Sequence, residues 1–297
     1  MKKTAVLGVT ACLAMGMMSG CGSSTTATTA AATEAAAETT AAAEETTAAE
    51  KADAESTAAE VKTPTGKFTV GFDQEFPPMG FVGDDGQYTG YDLDLAKAVA
   101  DKLCLEFVAQ PVNWDSKDME LESGNIDCIW NGFTMQGRED SYTWVGPYMA
   151  NEQVFVVNAD AGITGTADLA GKAVEVQKDS SGLAALNEDE NAELKASFGS
   201  VTEVADYNTA LMDLESGACD AVCMDSIVAG YQITSSGKNF VILDDVLSKE
   251  EYGIGFKKGE TELAEAVETA LKELKEDGTV DEITEQWFGD ASVFTLS

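Results

Sequence analysis

Hydrophobic and polar positions divide the chain into three regimes. Lys2 and Lys3 precede an apolar run from Ala5 to Met18, about 14 residues, which is shorter than the roughly 20 that cross a bilayer and suits the core of a secretion signal. From Gly22 to Pro64 the 43 residues include 16 Ala and 11 Thr with eight acids and no aromatic. Such a stretch cannot bury enough apolar surface to offset its ordering entropy, so a disordered linker averaging roughly 35 Å end to end is expected. Folded structure begins near Lys67-Phe68-Thr69-Val70-Gly71, which alternates like a strand. The periodicity then predicts a helix over Asp92–Leu103, a strand over Leu105–Val108, a short helix over Ser116–Glu122 and a buried strand over Ile126–Trp130. After the β run Gln153–Val157 the pattern restarts, with strands over Ala173–Val176, Val201–Val204 and Ala221–Met224. Helices are expected over Leu183–Ala196, Asn208–Ser216 and Ser226–Tyr231.

Short strands alternating with helices indicate βαβ units and a parallel sheet, so the fold class is α/β. An internal echo suggests two similar units: Leu121-Glu122-Ser123-Gly124-Asn125-Ile126-Asp127 parallels Leu214-Glu215-Ser216-Gly217-Ala218-Cys219-Asp220. In each, a helix ends at a Gly suited to the left-handed position after its last turn, and a strand follows. Strand ends of this kind aim loops at a crevice, where open α/β sheets bind ligands.

Charge narrows the chemistry. Eighteen Lys plus Arg against 53 Asp plus Glu give a net charge of −35, a surface that repels phosphates and argues against a nucleic-acid partner. Histidine is absent, which removes Ser-His-Asp and Cys-His nucleophiles and most zinc sites. Cys219-x-x-x-Cys223 is poor support for a metal, and Asp84-Asp85-Gly86 reads as a turn; no cofactor is expected. Cys104, Cys128, Cys219 and Cys223 lie in the folded part. Cys219 and Cys223 flank one strand about 13 Å apart, too far to bridge, whereas a Cys104–Cys128 pair stays open beside the simpler reading of buried thiols. Arg138 is the only arginine and follows a buried strand. A guanidinium meets a carboxylate bidentately, although a surface Arg paired with Glu139 or Asp140 is the alternative. Asp225 follows the strand Ala221–Met224, either facing the crevice or capping the next helix.

Two resemblances add to this reading. Met18-Ser19-Gly20-Cys21 resembles the lipobox of bacterial lipoproteins, with Met in place of the usual Leu. It implies a signal peptide over 1–20, diacylation of Cys21 and an extracytoplasmic chain tethered to the cell membrane by the linker over 21–64. The folded part resembles the solute-binding proteins of polar amino-acid ABC transporters. The resemblance rests on Gly71-Phe72-Asp73-Gln74-Glu75-Phe76-Pro77-Pro78-Met79, Gly86-Gln87-Tyr88-Thr89-Gly90-Tyr91-Asp92-Leu93-Asp94, and Asn131-Gly132-Phe133-Thr134 with Arg138 and Pro147-Tyr148. It continues through Gly171-Lys172-Ala173-Val174-Glu175-Val176-Gln177, Asp220-Ala221-Val222 with Asp225, and Trp287-Phe288-Gly289.

That family implies a two-lobed periplasmic-binding-protein fold of type II, with two Rossmann-like lobes joined by two crossing segments. Lobe 1 would take 65–155 plus 250–297 and lobe 2 would take 156–249. A free amino acid, polar in its side chain, would bind between lobes that close on it, and a monomer would deliver it to the permease subunits. Carried over residue by residue, Arg138 would hold the α-carboxylate and Asp225 the α-ammonium. Asn131, Gly132 and Thr134 would offer backbone and side-chain groups to the same zwitterion, and Ser180 and Ser181 would reach it from lobe 2. Asp73, Phe76 and Trp114 would form the side-chain pocket, with Trp130 in the core or at the rim. Two departures stand out: Thr134 and Arg138 are one residue closer than the family's spacing, and Asp179 replaces the usual Gly and is expected to face solvent. A dehydratase on a similar fold, with Asp73 or Glu75 as general acid, and a sensory or adhesive lipoprotein are the alternative functions.

Overall fold

The computed structural model describes residues 66–297. The expected signal peptide, Cys21 and linker lie outside the described residues. Among the described residues no helix is long and apolar enough to cross a membrane.

Eight strands form one sheet in the order β5-β1-β6-β11-β7-β10-β8-β9. One half holds β1 (Lys67–Phe72), β5 (Glu106–Pro111) and β6 (Cys128–Thr134), and the other holds β8 (Ala173–Gln177), β9 (Ser200–Val204) and β10 (Ala221–Asp225). Within each half the pairs β1–β5, β1–β6, β8–β9 and β8–β10 are parallel. Between them run β7 (Tyr142–Asn158) and β11 (Phe240–Lys257), antiparallel to each other and long enough to serve both halves. A second sheet of β2 (Glu75–Phe76), β3 (Gly80–Val82) and β4 (Tyr88–Thr89) covers the loop after β1.

Helices follow the strands as the periodicity requires. In α1 (Tyr91–Lys102) Leu93, Leu95, Ala96, Val99 and Ala100 are buried, and Asp92 and Asp94 lie in the first turn, where the helix dipole favours negative charge. The echoed segments are built alike: α2 (Lys117–Ser123) ends at Gly124 with φ 75° and α5 (Tyr207–Ser216) ends at Gly217 with φ 78°. Both Gly amides bond back into their helix, a left-handed cap that a side chain would strain.

The expected helix over Leu183–Ala196 is instead two short ones, α3 (Ser181–Leu186) and α4 (Ala192–Ser197), around a 3-10 turn at Asp189–Asn191. The acids Glu188, Asp189 and Glu190 oppose the C-terminal end of a helix dipole, and Asn191 Nδ2 donates back to the Ala185 carbonyl at 2.9 Å. Strand β6 runs past the expected Trp130 through the polar residues Asn131 and Thr134, which are buried and bonded through Asn131 Oδ1 and Thr134 Oγ1. The remaining helices are α6 (Ser226–Ser236), α7 (Thr261–Glu276) and α8 (Thr279–Phe288). All four cysteines described are free; Cys128, Cys219 and Cys223 are buried, whereas Cys104 is exposed in a left-handed turn with φ 58°, against the expectation that all are buried. Trp130 is fully buried beside Tyr148.

Candidate functional site

The C-terminal ends of β1, β6, β8 and β10 converge on one cleft. Phe76, Trp114, Gly132, Thr134, Arg138, Gln177, Ser180, Ser181 and Asp225 line it. Eight of the ten ligand residues expected from sequence are in that lining; Asp73 and Asn131 stand behind it. Asn131 Oδ1 accepts the Asp73 amide at 2.9 Å, so Asn131 shapes the loop after β1. Asp73 accepts the Glu75 amide at 2.9 Å on one oxygen and Gln177 Nε2 at 2.6 Å on the other. Burial pushes its carboxyl up to about 6.

Gly132 has φ 55° and donates its amide to Asp92 Oδ2 at 2.6 Å; Tyr148 donates its hydroxyl to the same carboxyl at 2.9 and 3.0 Å. Asp92 is fully buried without a cation, and burial pushes it up to about 7. Arg138 follows in a tight turn, its amide donating to the Met135 carbonyl at 2.9 Å. Its guanidinium lies 5.0 Å over the Phe133 ring and donates to the Thr134 carbonyl at 3.1 Å and the Asp179 carbonyl at 3.4 Å. Two of its five N–H groups are thus used, which fixes the plane and leaves the rest for an anion. The shortened spacing from Thr134 is absorbed by this turn.

From the other side, Ser180 caps α3 by accepting the Leu183 amide at 3.1 Å. Ser181 Oγ accepts from Thr134 Oγ1 at 3.2 Å across the cleft. Asp225 stands at the N-cap position of α6 but makes no side-chain cap. It accepts instead from Asn151 Nδ2 at 2.8 Å, Tyr252 at 2.7 Å and Tyr207 at 3.3 Å, and burial raises its carboxyl.

Asp179 is exposed, as expected, and also makes an ion pair. Its partner is Lys117, whose side chain is only 2% exposed. An ammonium buried to that degree needs a counter-charge, and the Trp114 ring at 5.0 Å supplies only part of one. Asp179 has φ 57°, the left-handed conformation that explains a Gly here and that Asp tolerates better than most residues. Together with Gln177–Asp73, Thr134–Ser181, Asn208–Glu75 and Lys178–Asp115, this pair ties the two sides of the cleft. The cavity between them is about 10 Å³, room for no more than a water. Entry of anything the size of an amino acid requires the two sides to part.

Gln177, Asn151, Gln153, Tyr207, Glu250 and Tyr252 were not expected from sequence. The alternation Asn151, Gln153, Phe155 on β7 was the available signal, since residues two apart share a face. Among the described residues no group of three or more acids or cysteines is arranged to hold a metal ion.

Residues 68–290 match the bacterial extracellular solute-binding proteins, family 3. The chain belongs to that family. Its resemblance to individual members is spread over several ligands. It is 31% identical over 227 residues to the L-cystine-binding protein TcyJ of Escherichia coli (strain K12), covering 75% of this chain and 83% of that one. An ABC uptake transporter substrate-binding protein from Streptococcus pneumoniae with bound histidine superposes with a TM-score of 0.74 at 36% identity, over 77% of this chain and 94% of that one. The ancestral amino acid-binding protein AncCDT-1, a precursor of cyclohexadienyl dehydratase, superposes with a TM-score of 0.67 at 31% identity, over 75% and 95%. The fold of this family 3 solute-binding protein is accordingly the two-lobed type II periplasmic-binding-protein fold.

Proposed function

We propose that this chain binds one free amino acid between its lobes and hands it to an ABC permease while diacylated Cys21 holds it, as a monomer, on the outer face of the cell membrane. Arg138 takes the α-carboxylate, helped by Thr134 and by Ser180 and Ser181 from the facing lobe. Asp225 takes the α-ammonium, Phe76 and Trp114 meet a polar side chain, and Asp73 acts on it from behind the lining through Gln177 Nε2. The observation that carries the reading is a lone guanidinium already oriented by two carbonyls and an aromatic ring, with a buried carboxylate across the same small cleft. A zwitterion supplies both opposite charges. Binding rather than turnover is supported by Asp73, whose two oxygens are each engaged by an N–H donor, leaving it poorly placed as a general acid.

The test is a thermal-shift screen of chain refolded from denaturant against the twenty standard amino acids and L-cystine. A ligand at a hundred times its Kd stabilises by about 2.7 kcal/mol. Arg138→Lys is expected to weaken whichever amino acid binds by more than tenfold without lowering the unliganded melting temperature, because a point charge replaces the fork. Unchanged affinity in that variant removes Arg138 from the carboxylate. No shift with any amino acid removes the function.

A further inference from the structure

Two carboxylates share one amide at the inner end of the cleft. Asn151 Nδ2 donates to Asp225 Oδ1 at 2.8 Å and to Glu250 Oε1 at 2.6 Å. Glu250 Oε1 also accepts from Gln153 Nε2 at 2.5 Å and Ser181 Oγ at 3.4 Å. The two acids are 3% and 5% exposed. Facing them are Tyr252 of β11, Tyr207 of α5, Cys223 of β10 and Thr134 of β6, with only amides from β7, and across the cleft Arg138, whose guanidinium bonds the Thr134 and Asp179 carbonyls instead of either acid. Among the described residues no Lys or Arg forms an ion pair with either acid. Lys249, next in sequence, is exposed and lies 3.7 Å from Glu152.

Two anions joined through one amide in a buried site do not both stay ionised near neutrality without a cation. Burial and the charge of Asp225 push the Glu250 carboxyl up to about 7. Glu250 and Asn151 also line a groove of about 610 Å³ with Glu152, Lys249 and Ser226, a path to water that does not pass through the ligand cleft. We propose that Glu250 is a positioning residue for the ligand site, and that docking of an amino-acid ammonium group on Asp225 expels one proton from the Asp225–Glu250 pair into that groove. The arriving cation offsets one negative charge, so the second carboxylate ionises. Once ionised, Glu250 holds Asn151 and Ser181 more firmly in the orientation that meets the ligand. This rests on the assignment of Asp225 to the ammonium.

Titration calorimetry of the full chain, with the amino acids that raise its melting temperature in the screen, tests it. At pH 6.5, heats in phosphate and in Tris, which differ in ionisation enthalpy, give the proton count. Release of between half and one proton is expected, with affinity rising toward tenfold per pH unit between pH 5.5 and 7. In Glu250→Gln binding should weaken but stay measurable, and the release and the slope should vanish. No release in the unaltered chain, or equal release in the variant, overturns the coupling and leaves the proposed function standing. No binding by any amino acid removes both. The count in the unaltered chain needs no variant to fold.

Discussion

Replacing Asp92 by Asn gives the most direct measure of what a buried, cation-free carboxylate costs this fold. Asp92 lies in the first turn of α1 and holds the Gly132 amide and the Tyr148 hydroxyl. Burial raises it from 3.8 to about 7. Between those values the folded Asp92 binds more protons than the unfolded one, so its contribution to stability is greatest below pH 4 and is lost as pH rises through 7. At about 1.4 kcal/mol per unit the full loss is on the order of 4 kcal/mol, more than half of which falls between pH 5 and pH 8. Asn keeps an acceptor for Gly132 and an amide to meet Tyr148 but does not titrate. Urea unfolding at the two pH values should show the unaltered chain losing roughly 2–3 kcal/mol more than Asp92→Asn. Asp73 and Glu250, raised to about 6 and about 7, contribute alike to both chains and cancel in the difference. Parallel stability curves would refute the reasoning, because Asp92 would then ionise as easily folded as unfolded.

Gly132→Ala should lower the melting temperature and weaken ligand binding, since a Cβ would stand 3.0 Å from Phe76 and 3.1 Å from Tyr252 at a left-handed φ that costs about 1–2 kcal/mol; unaltered affinity would separate this backbone from the site. Cys21→Ser should abolish incorporation of labelled palmitate and leave the protein in the soluble fraction, and continued labelling would remove the lipid assignment.

Much of the cleft was legible because its chemistry is rare or sits at strand ends. Arg138 has no rival in the chain, and Asp225 closes a strand of four apolar residues, Ala221–Met224. The second long strand was not legible. Its pairing with β7 shifts between Ile242 and Val246, Val246 and Ser248, and Tyr252 and Ile254, and each shift breaks the alternation that identifies a strand. Glu250 was hidden for the same reason: Lys249-Glu250-Glu251 reads as solvated surface, and only the sheet turns the middle residue inward. Asp179 is exposed as expected, but its partner was hidden because sequence shows its charge and not the buried Lys117 that meets it.

The ties across the cleft divide into two kinds, and their difference can be measured. Gln177–Asp73 and Thr134–Ser181 lie where a bound amino acid would compete for the same groups, so their loss weakens closure and frees donors at once. Lys117–Asp179 and Lys178–Asp115 stand at the margin. In Lys178–Asp115 the side chains are 56% and 40% exposed, and such a pair contributes about 0–1 kcal/mol. Lys117 is buried on the side of the cleft that carries Trp114, and its carboxylate comes from the facing side. Asp179→Asn keeps a residue that tolerates the left-handed backbone and removes only the charge. It is therefore expected to weaken ligand affinity several-fold to about tenfold, with the unliganded melting temperature little changed, whereas Asp115→Asn should stay within a few-fold of the unaltered chain. Calorimetric titration of both variants decides the matter. Equal effects would mean that the buried ammonium is satisfied by Trp114 alone, through its carbonyl and ring, and that closure does not depend on the acid that replaces glycine.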